Sequence, residues 1–283
     1  MILVFGRTGQ VARELADLAP AATFLGRSEV DVAHAGACAE AIRAHRPAAI
    51  INATAYTAVD RAEDEAALAH AVNGEAPAAM ARAAAELGIP FVHISTDYVF
   101  DGGEDAPFAP GDPTGPLNTY GQSKLAGEEA VRAAGGPHAI LRTSWVFSAH
   151  GANFVRTMLR LSQTRDTLDI VEDQVGGPTP ASSVAEACLV IARRLDDAPE
   201  LSGTYHLSGA PDTSWKGFAE AIFAAAGRKV AVTAIPTAEY PTPARRPLNS
   251  RLDCSTTAEA FGIGRPDWRR SLGEVTRVLT ETD

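Results

Sequence analysis

An α/β doubly wound parallel sheet is what this 283-residue sequence predicts. Two observations predict it: short apolar runs alternate with longer alanine-rich stretches of helical period, and a glycine turn separates the first run from the first such stretch. The runs at 2–5, 23–25, 48–52, 91–95 and 139–142 are too short and too continuous for amphipathic helices. They are expected to be parallel strands covered on both faces. Between them, helices are expected at 10–18, 35–45, 65–87 and 120–134. Gly88 with Pro90 stops the third, and Gly135-Gly136-Pro137 stops the fourth.

Beyond Trp145 the pattern loosens. Helices are expected at 153–162, 181–195, 215–226 and 272–279, interleaved with short strands such as 204–207, and Pro- and Gly-rich joints at 175–180 and 240–247 read as loops that cross back. The division expected is a dinucleotide-binding domain over 1–147 and a smaller C-terminal substrate-binding lobe over 148–283, with strands and helices of the second part returning to the first.

Composition narrows the function. Hydrophobic residues at 46% and charged residues at 21% exclude a disordered or fibrous chain. A formal charge of −10 argues against nucleic acid as a partner, because phosphate binding needs a basic footprint. Cys38, Cys188 and Cys254 are far apart and odd in number, so neither a disulfide framework nor a metal site is expected, and free thiols fit a cytoplasmic protein. The apolar start is five residues long and unflanked by basic residues, so neither a signal peptide nor a membrane partner is expected.

Gly6-Arg7-Thr8-Gly9-Gln10-Val11-Ala12 stands where a strand gives way to a helix. Glycines there let the backbone approach a pyrophosphate, and the helix start offers free N–H groups, which makes the sheet Rossmann-type. At the end of the second strand, where a carboxylate would receive the ribose 2′-OH of NADH, the chain reads Leu25-Gly26-Arg27-Ser28. Arg27 either pairs with a 2′-phosphate or is a solvated loop arginine. NADPH is the expected cofactor, with NADH left open. Asp31 and Val32 either flank the adenine or open the next helix.

The fourth strand ends in Ser95-Thr96-Asp97-Tyr98, at the edge where such sheets place ligands. The following helix opens with Tyr120-Gly121-Gln122-Ser123-Lys124, and the four-residue spacing puts Tyr120 and Lys124 on one face. Lysine is scarce here, occurring only as Lys124, Lys216 and Lys229. Reduction of a carbonyl by hydride needs a proton for the developing alkoxide. A phenol near pKa ~10 requires tuning for that task, and an ammonium one turn away is expected to lower it. Thr96 either holds the carbonyl oxygen or caps the turn. Trp145 is either a sugar platform or a core residue. Arg245-Arg246, bracketed by prolines, either clamps a pyrophosphate or is solvated.

Taken together, Gly6-Arg7-Thr8-Gly9-Gln10-Val11, Asn52-Ala53-Thr54-Ala55-Tyr56-Thr57, Ser95-Thr96-Asp97-Tyr98-Val99-Phe100-Asp101-Gly102 and Tyr120-Gly121-Gln122-Ser123-Lys124 resemble the dTDP-4-dehydrorhamnose reductase family of extended short-chain dehydrogenases. Arg142-Thr143-Ser144-Trp145, Asn153-Phe154, Asp173-Gln174-Val175-Gly176 and the 241–250 segment continue the resemblance over nearly the whole chain. The resemblance implies reduction of the 4-keto group of a dTDP-linked 6-deoxy sugar to dTDP-L-rhamnose. Tyr120 would donate the proton, Lys124 would bind the nicotinamide ribose, and Thr96 would hold the ketone oxygen. Gly9, Gln10, Val11, Asp31, Val32, Ala55, Tyr56 and Thr57 would contact the cofactor. Asp97, Trp145 and Asn153 would line the sugar pocket.

Two features depart from the family pattern. No acid ends the second strand, and although Glu14 is present, Pro180-Ala181-Ser182-Ser183 supplies no second carboxylate for a metal-bridged dimer. No metal is expected, and the chain is expected to be a monomer or homodimer. Other readings are a neighbouring nucleotide-sugar ketoreductase or epimerase, which would share Tyr120 and Lys124, and a non-catalytic subunit resembling the regulatory chain of methionine adenosyltransferase.

Overall fold

The computed structural model describes residues 1–281. Its first half runs β1 (Ile2–Phe5), α1 (Gln10–Leu18), β2 (Thr23–Leu25), α2 (Ala35–His45), β3 (Ala49–Asn52), α3 (Ala66–His70), α4 (Ala76–Leu87), β4 (Phe91–Thr96), α5 (Thr119–Ala134) and β5 (His138–Thr143). The second half adds β6 (Val146–Phe147), α6 (Phe154–Leu161), β7 (Thr167–Val171), β8 (Val175–Gly176), β9 (Thr179–Pro180), α7 (Ala181–Asp197) and β10 (Gly203–Leu207). It closes with β11 (Thr213–Ser214), α8 (Trp215–Ala225), β12 (Ala231–Ile235), β13 (Asn249–Ser250), α9 (Ser255–Phe261) and α10 (Trp268–Glu281).

Six strands form the central sheet in the order β10-β5-β4-β3-β1-β2, all parallel. The fold class is the one predicted. The order reverses between β1 and β3, which opens a crevice at the carboxyl ends of those strands, the place such sheets bind ligands. Alternate strand residues serve opposite layers. Leu3, Phe5, Ile50, Phe91 and Ile140 pack with α2 and α4, whereas Val4, Ile51, Val92 and Leu141 pack with α1 and α7. Burial on both faces is why these strands read as unbroken apolar runs.

The segment 148–283 is divided in space over its described residues. β10 pairs with β5 at the sheet edge and α7 covers the face that α1 also covers. The parallel pair β7–β12 packs with α6, α8 and α10 around Phe147, Phe218 and Trp268 as a second core.

The predicted helix 65–87 contains a π-turn over Ala71–Glu75 that links α3 to α4. Here α5 comes close: a Cβ on Gly127 would lie 2.1 Å from the Asn73 carbonyl oxygen. One buried ion pair fixes α5 to the sheet. Arg142 on β5 donates to both oxygens of Glu128, Nε to Oε1 at 2.9 Å and Nη2 to Oε2 at 2.7 Å, and the Ser95 hydroxyl donates to Oε1 at 2.6 Å. Glu128 and Arg142 are 0% and 2% exposed, so neither has water to fall back on.

Glu128→Ala is therefore expected to cost about 3–5 kcal/mol, because it strands a buried guanidinium. Glu128→Met combined with Arg142→Met is expected to recover much of that loss. Urea unfolding of the three proteins checks both outcomes.

Candidate active site

At the crevice, β1 ends in Gly6 with φ +116°, and a Cβ there would meet the Ala53 carbonyl oxygen at 3.2 Å. Only glycine suits that backbone and that gap. Gly9 then caps α1 without any side-chain bond, and no acidic residue occupies the first turn, so the helix start keeps its N–H groups and partial positive charge for an anion. A cleft of about 670 Å³ opens over this turn, lined among others by Gly6, Gly9, Arg27, Asp31, Val32 and Ala55. Its size and glycine floor fit a dinucleotide.

Several residues expected at the cofactor have other occupations. The Gln10 side chain donates to the Val146 carbonyl at 3.3 Å and accepts from Ser148 and Asn153, so it ties α1 to the second half. Val11 packs in the core beside α7. Thr57 is exposed. Tyr56, which lines the cleft, is held by Asn73: its N–H donates to Asn73 Oδ1 at 2.8 Å and its carbonyl accepts from Nδ2 at 3.0 Å. The π-turn is what brings Asn73 to that position, a common use of such bulges. Asn73 also donates to Ser123 on α5 at 2.9 Å, linking this wall of the cleft to the helix of Tyr120 and Lys124.

Tyr120 and Lys124 stand on α5, whose start is capped by the Asn118 carboxamide accepting from Gly121 N–H at 2.8 Å. Lys124 is 2% exposed. Its Nζ donates to the Ile94 carbonyl at 2.7 Å and lies 3.4 Å from His93 Nε2. Both Thr54 N–H and Thr54 Oγ1 donate to Asn52 Oδ1, which leaves Asn52 Nδ2 facing His93 Nδ1 at 3.1 Å. The amide donates there, which holds the imidazole ring in place beside Lys124. Burial lowers Lys124 to about 8, against the pull of Glu128.

The sequence led to the expectation that Lys124 lowers the Tyr120 phenol. The structure instead shows burial raising it to about 12, opposed by the Thr96 hydroxyl and reinforced by Asp97. Burial dominates, and Lys124, whose ammonium donates to the Ile94 carbonyl, is not among the groups that lower the phenol. Tyr98 meets Tyr120 edge-on at 5.6 Å between ring centroids.

Thr96 does what a strand-end threonine does, accepting from Tyr98 N–H at 3.2 Å, and also donates to Asp97 Oδ1 at 3.0 Å. Asp97 is 3% exposed, and burial raises its carboxyl to about 6, opposed by the hydroxyls of Ser250 and Thr96. Asp97 Oδ2 makes no hydrogen bond of ordinary geometry among the described residues.

A second cleft of about 600 Å³ is lined by Asp60, Tyr98, Arg165, Trp215, Tyr240 and Arg246, among others. Trp145 adopts φ 50° and stacks on Trp215 at 3.6 Å, so Trp215 lines this cleft with Trp145 behind it. The Arg245-Arg246 pair splits: Arg246 lines the cleft and donates to Asp60 at 2.8 Å, while Arg245 is exposed and its carbonyl accepts from Asn118 at 2.7 Å. Asn153, expected in the sugar pocket, caps α6, and its amide donates to Gln10, Ser148 and His150. Sequence reasoning missed Asn73, His93, Arg165 and Trp215. Trp215 opens a helix that the sequence predicts, but its partner Trp145 lies 70 positions away along the chain.

Similarity to known proteins agrees with this arrangement. The model of the RmlD substrate binding domain family matches residues 1–281. The dTDP-4-dehydrorhamnose reductase of Sinorhizobium fredii is 47% identical over 98% of this chain and 97% of its own length. That of Salmonella typhimurium is 43% identical over 99% and 97%. Among solved structures, the reductase of Clostridium acetobutylicum superposes with a TM-score of 0.91 at 35% identity, covering 99% of each chain. The reductase of Bacillus anthracis in complex with NADP gives 0.90 at 33%, covering 98% of each.

A buried carboxylate with a raised pKa weakens the fold wherever it is charged. Because the folded pKa of Asp97, about 6, exceeds its ordinary value of 3.8, stability falls as pH rises between those values. Asp97→Asn is expected to stabilise the protein by about 3 kcal/mol at pH near 7, with the gain vanishing below about pH 4. Thermal unfolding at both pH values measures it.

Proposed function

The chain belongs to the RmlD substrate binding domain family, whose similar members are dTDP-4-dehydrorhamnose reductases, and on that footing we propose that it reduces the 4-keto group of dTDP-4-dehydro-L-rhamnose to give dTDP-L-rhamnose. NADPH, when bound, supplies the hydride. The observation that carries the reading is the Tyr120–Lys124 face of α5, with Lys124 buried, Tyr120 half-buried and the Thr96 hydroxyl beside the phenol.

The glycine turn of Gly6 and Gly9 receives the pyrophosphate, and Tyr56, positioned by Asn73, walls the cofactor. Lys124 orients the nicotinamide ribose. The Tyr120 phenol, pushed up to about 12, is the protonated form throughout neutral pH and so is ready to give its proton to the C4 oxygen. Thr96 gives a second hydrogen bond to that oxygen by turning its hydroxyl proton away from Asp97 Oδ1. A hydroxyl of the sugar completes Asp97 Oδ2. Arg246 and Arg165 meet the diphosphate, Arg246 exchanging Asp60 for it, which is how an acidic chain holds an anionic substrate. Trp215, backed by Trp145, offers its face to the sugar or the base. Residues 1–147 carry the cofactor and much of 148–283 the nucleotide sugar, and the protein works as a monomer or homodimer in the cytoplasm.

The test is cofactor oxidation by purified protein with NADPH and dTDP-4-dehydro-L-rhamnose, with product configuration read by NMR. An epimerised or differently configured alcohol sinks the assignment. Tyr120→Phe is expected to lower kcat by about 10²- to 10⁴-fold while NADPH binding persists. The wild-type rate should also fall as pH rises through about 8, where Lys124 loses its charge. Lys124→Arg, which stays charged, is expected to lack that alkaline limb.

A further inference from the structure

We propose that the Arg7–Glu29 ion pair sets the preference for NADPH over NADH, Arg7 withholding from the adenosine ribose a carboxylate that Glu29 brings to the end of β2. This rests on the reading of the cleft as a dinucleotide site. In sheets of this kind an acidic side chain at the end of the second strand accepts the ribose 2′-OH and repels a 2′-phosphate. Gly26 holds that position here, so the acid is missing from the sequence.

The fold supplies one from three residues further on. A Cβ built on Gly26 would lie 3.0 Å from Glu29 Oε2, so the carboxylate occupies the space into which a side chain at position 26 would project. It is fully engaged there. Oε2 accepts from Gly26 N–H at 3.0 Å and from the Ser28 hydroxyl at 2.9 Å, and Oε1 accepts from Arg7 Nη1 at 2.8 Å. Arg7 is itself held by donating to the Phe24 carbonyl at 3.1 Å. The cleft is lined here by Arg7, Ser28 and Arg27, with Arg27 Nε 3.5 Å from Asp31 in an exposed ion pair, and a 2′-phosphate would draw on the two guanidinium groups. The side chains of Arg7 and Glu29 are 56% and 38% exposed, so the pair adds little to folding and its removal leaves the fold intact.

Arg7 can thus be removed to uncover Glu29. Titrations of NADPH and NADH into the full-length protein by cofactor fluorescence, alongside steady-state kinetics, read the effect. Arg7→Ala is expected to weaken NADPH by about 10- to 100-fold while NADH binds as well or better. Glu29→Gln is expected to leave NADH binding unchanged in the wild-type background and to weaken it in the Arg7→Ala background, a non-additivity that a mere loss of positive charge does not produce. An unchanged NADPH/NADH ratio in Arg7→Ala, or equal effects of Glu29→Gln in both backgrounds, overturns the proposal. Wild-type protein that binds neither cofactor overturns the dinucleotide reading beneath it.

Discussion

The site is anchored on one buried ion pair, Glu128 with Arg142. Glu128 lies one turn beyond Lys124 and two beyond Tyr120 on the same face of α5, while Arg142 stands on β5, next to β4. Two charges with no access to water can persist only if their hydrogen bonds are complete. Here the fork of Arg142 and the hydroxyl of Ser95 complete those of Glu128. That requirement leaves α5 little freedom to slide or rotate. The positions of the phenol and the ammonium relative to Thr96 at the end of β4 follow from it.

Burial then sets the protonation states. Desolvation penalises whichever form is charged, so the same environment raises Tyr120 and Asp97 and lowers Lys124. In the proposed reduction, a phenol so raised keeps its proton until the alkoxide forms. The second layer of polar groups serves the same end. Asn52 orients His93 behind Lys124, and Asn73 joins Tyr56 to Ser123, so the wall of the larger cleft and α5 share one hydrogen-bonded frame.

The strands were legible because each is buried on two sides and therefore apolar without interruption; β1 and β2 lie where the sequence places them, and β3, β4 and β5 differ by a residue at their ends. Tyr120 and Lys124 were legible because a helix repeats its face every three or four residues. The π-turn at Ala71–Glu75 left no mark in an alanine-rich stretch whose helical period continues through it. Trp145 was expected to be either a sugar platform or a core residue, and only the stack with Trp215 shows that Trp215 is the ring lining the cleft. The cap that Asn153 makes on α6 was not legible, since an asparagine that caps a helix looks the same in sequence as one that awaits a ligand.

By itself the sequence determined the sheet, the glycine turn, the Tyr120–Lys124 face and the family, all of which are written in local period and spacing. The tertiary structure decided which of those groups are free to meet a ligand. It gave the Gln10 and Asn153 side chains to the junction between the two halves, turned Arg246 inward and Arg245 outward, and brought Glu29 to a strand end that the sequence leaves without an acid. Those outcomes depend on partners up to 186 positions apart. Hydrogen-bond capacity and burial are properties of assembled neighbours, and no local pattern encodes them.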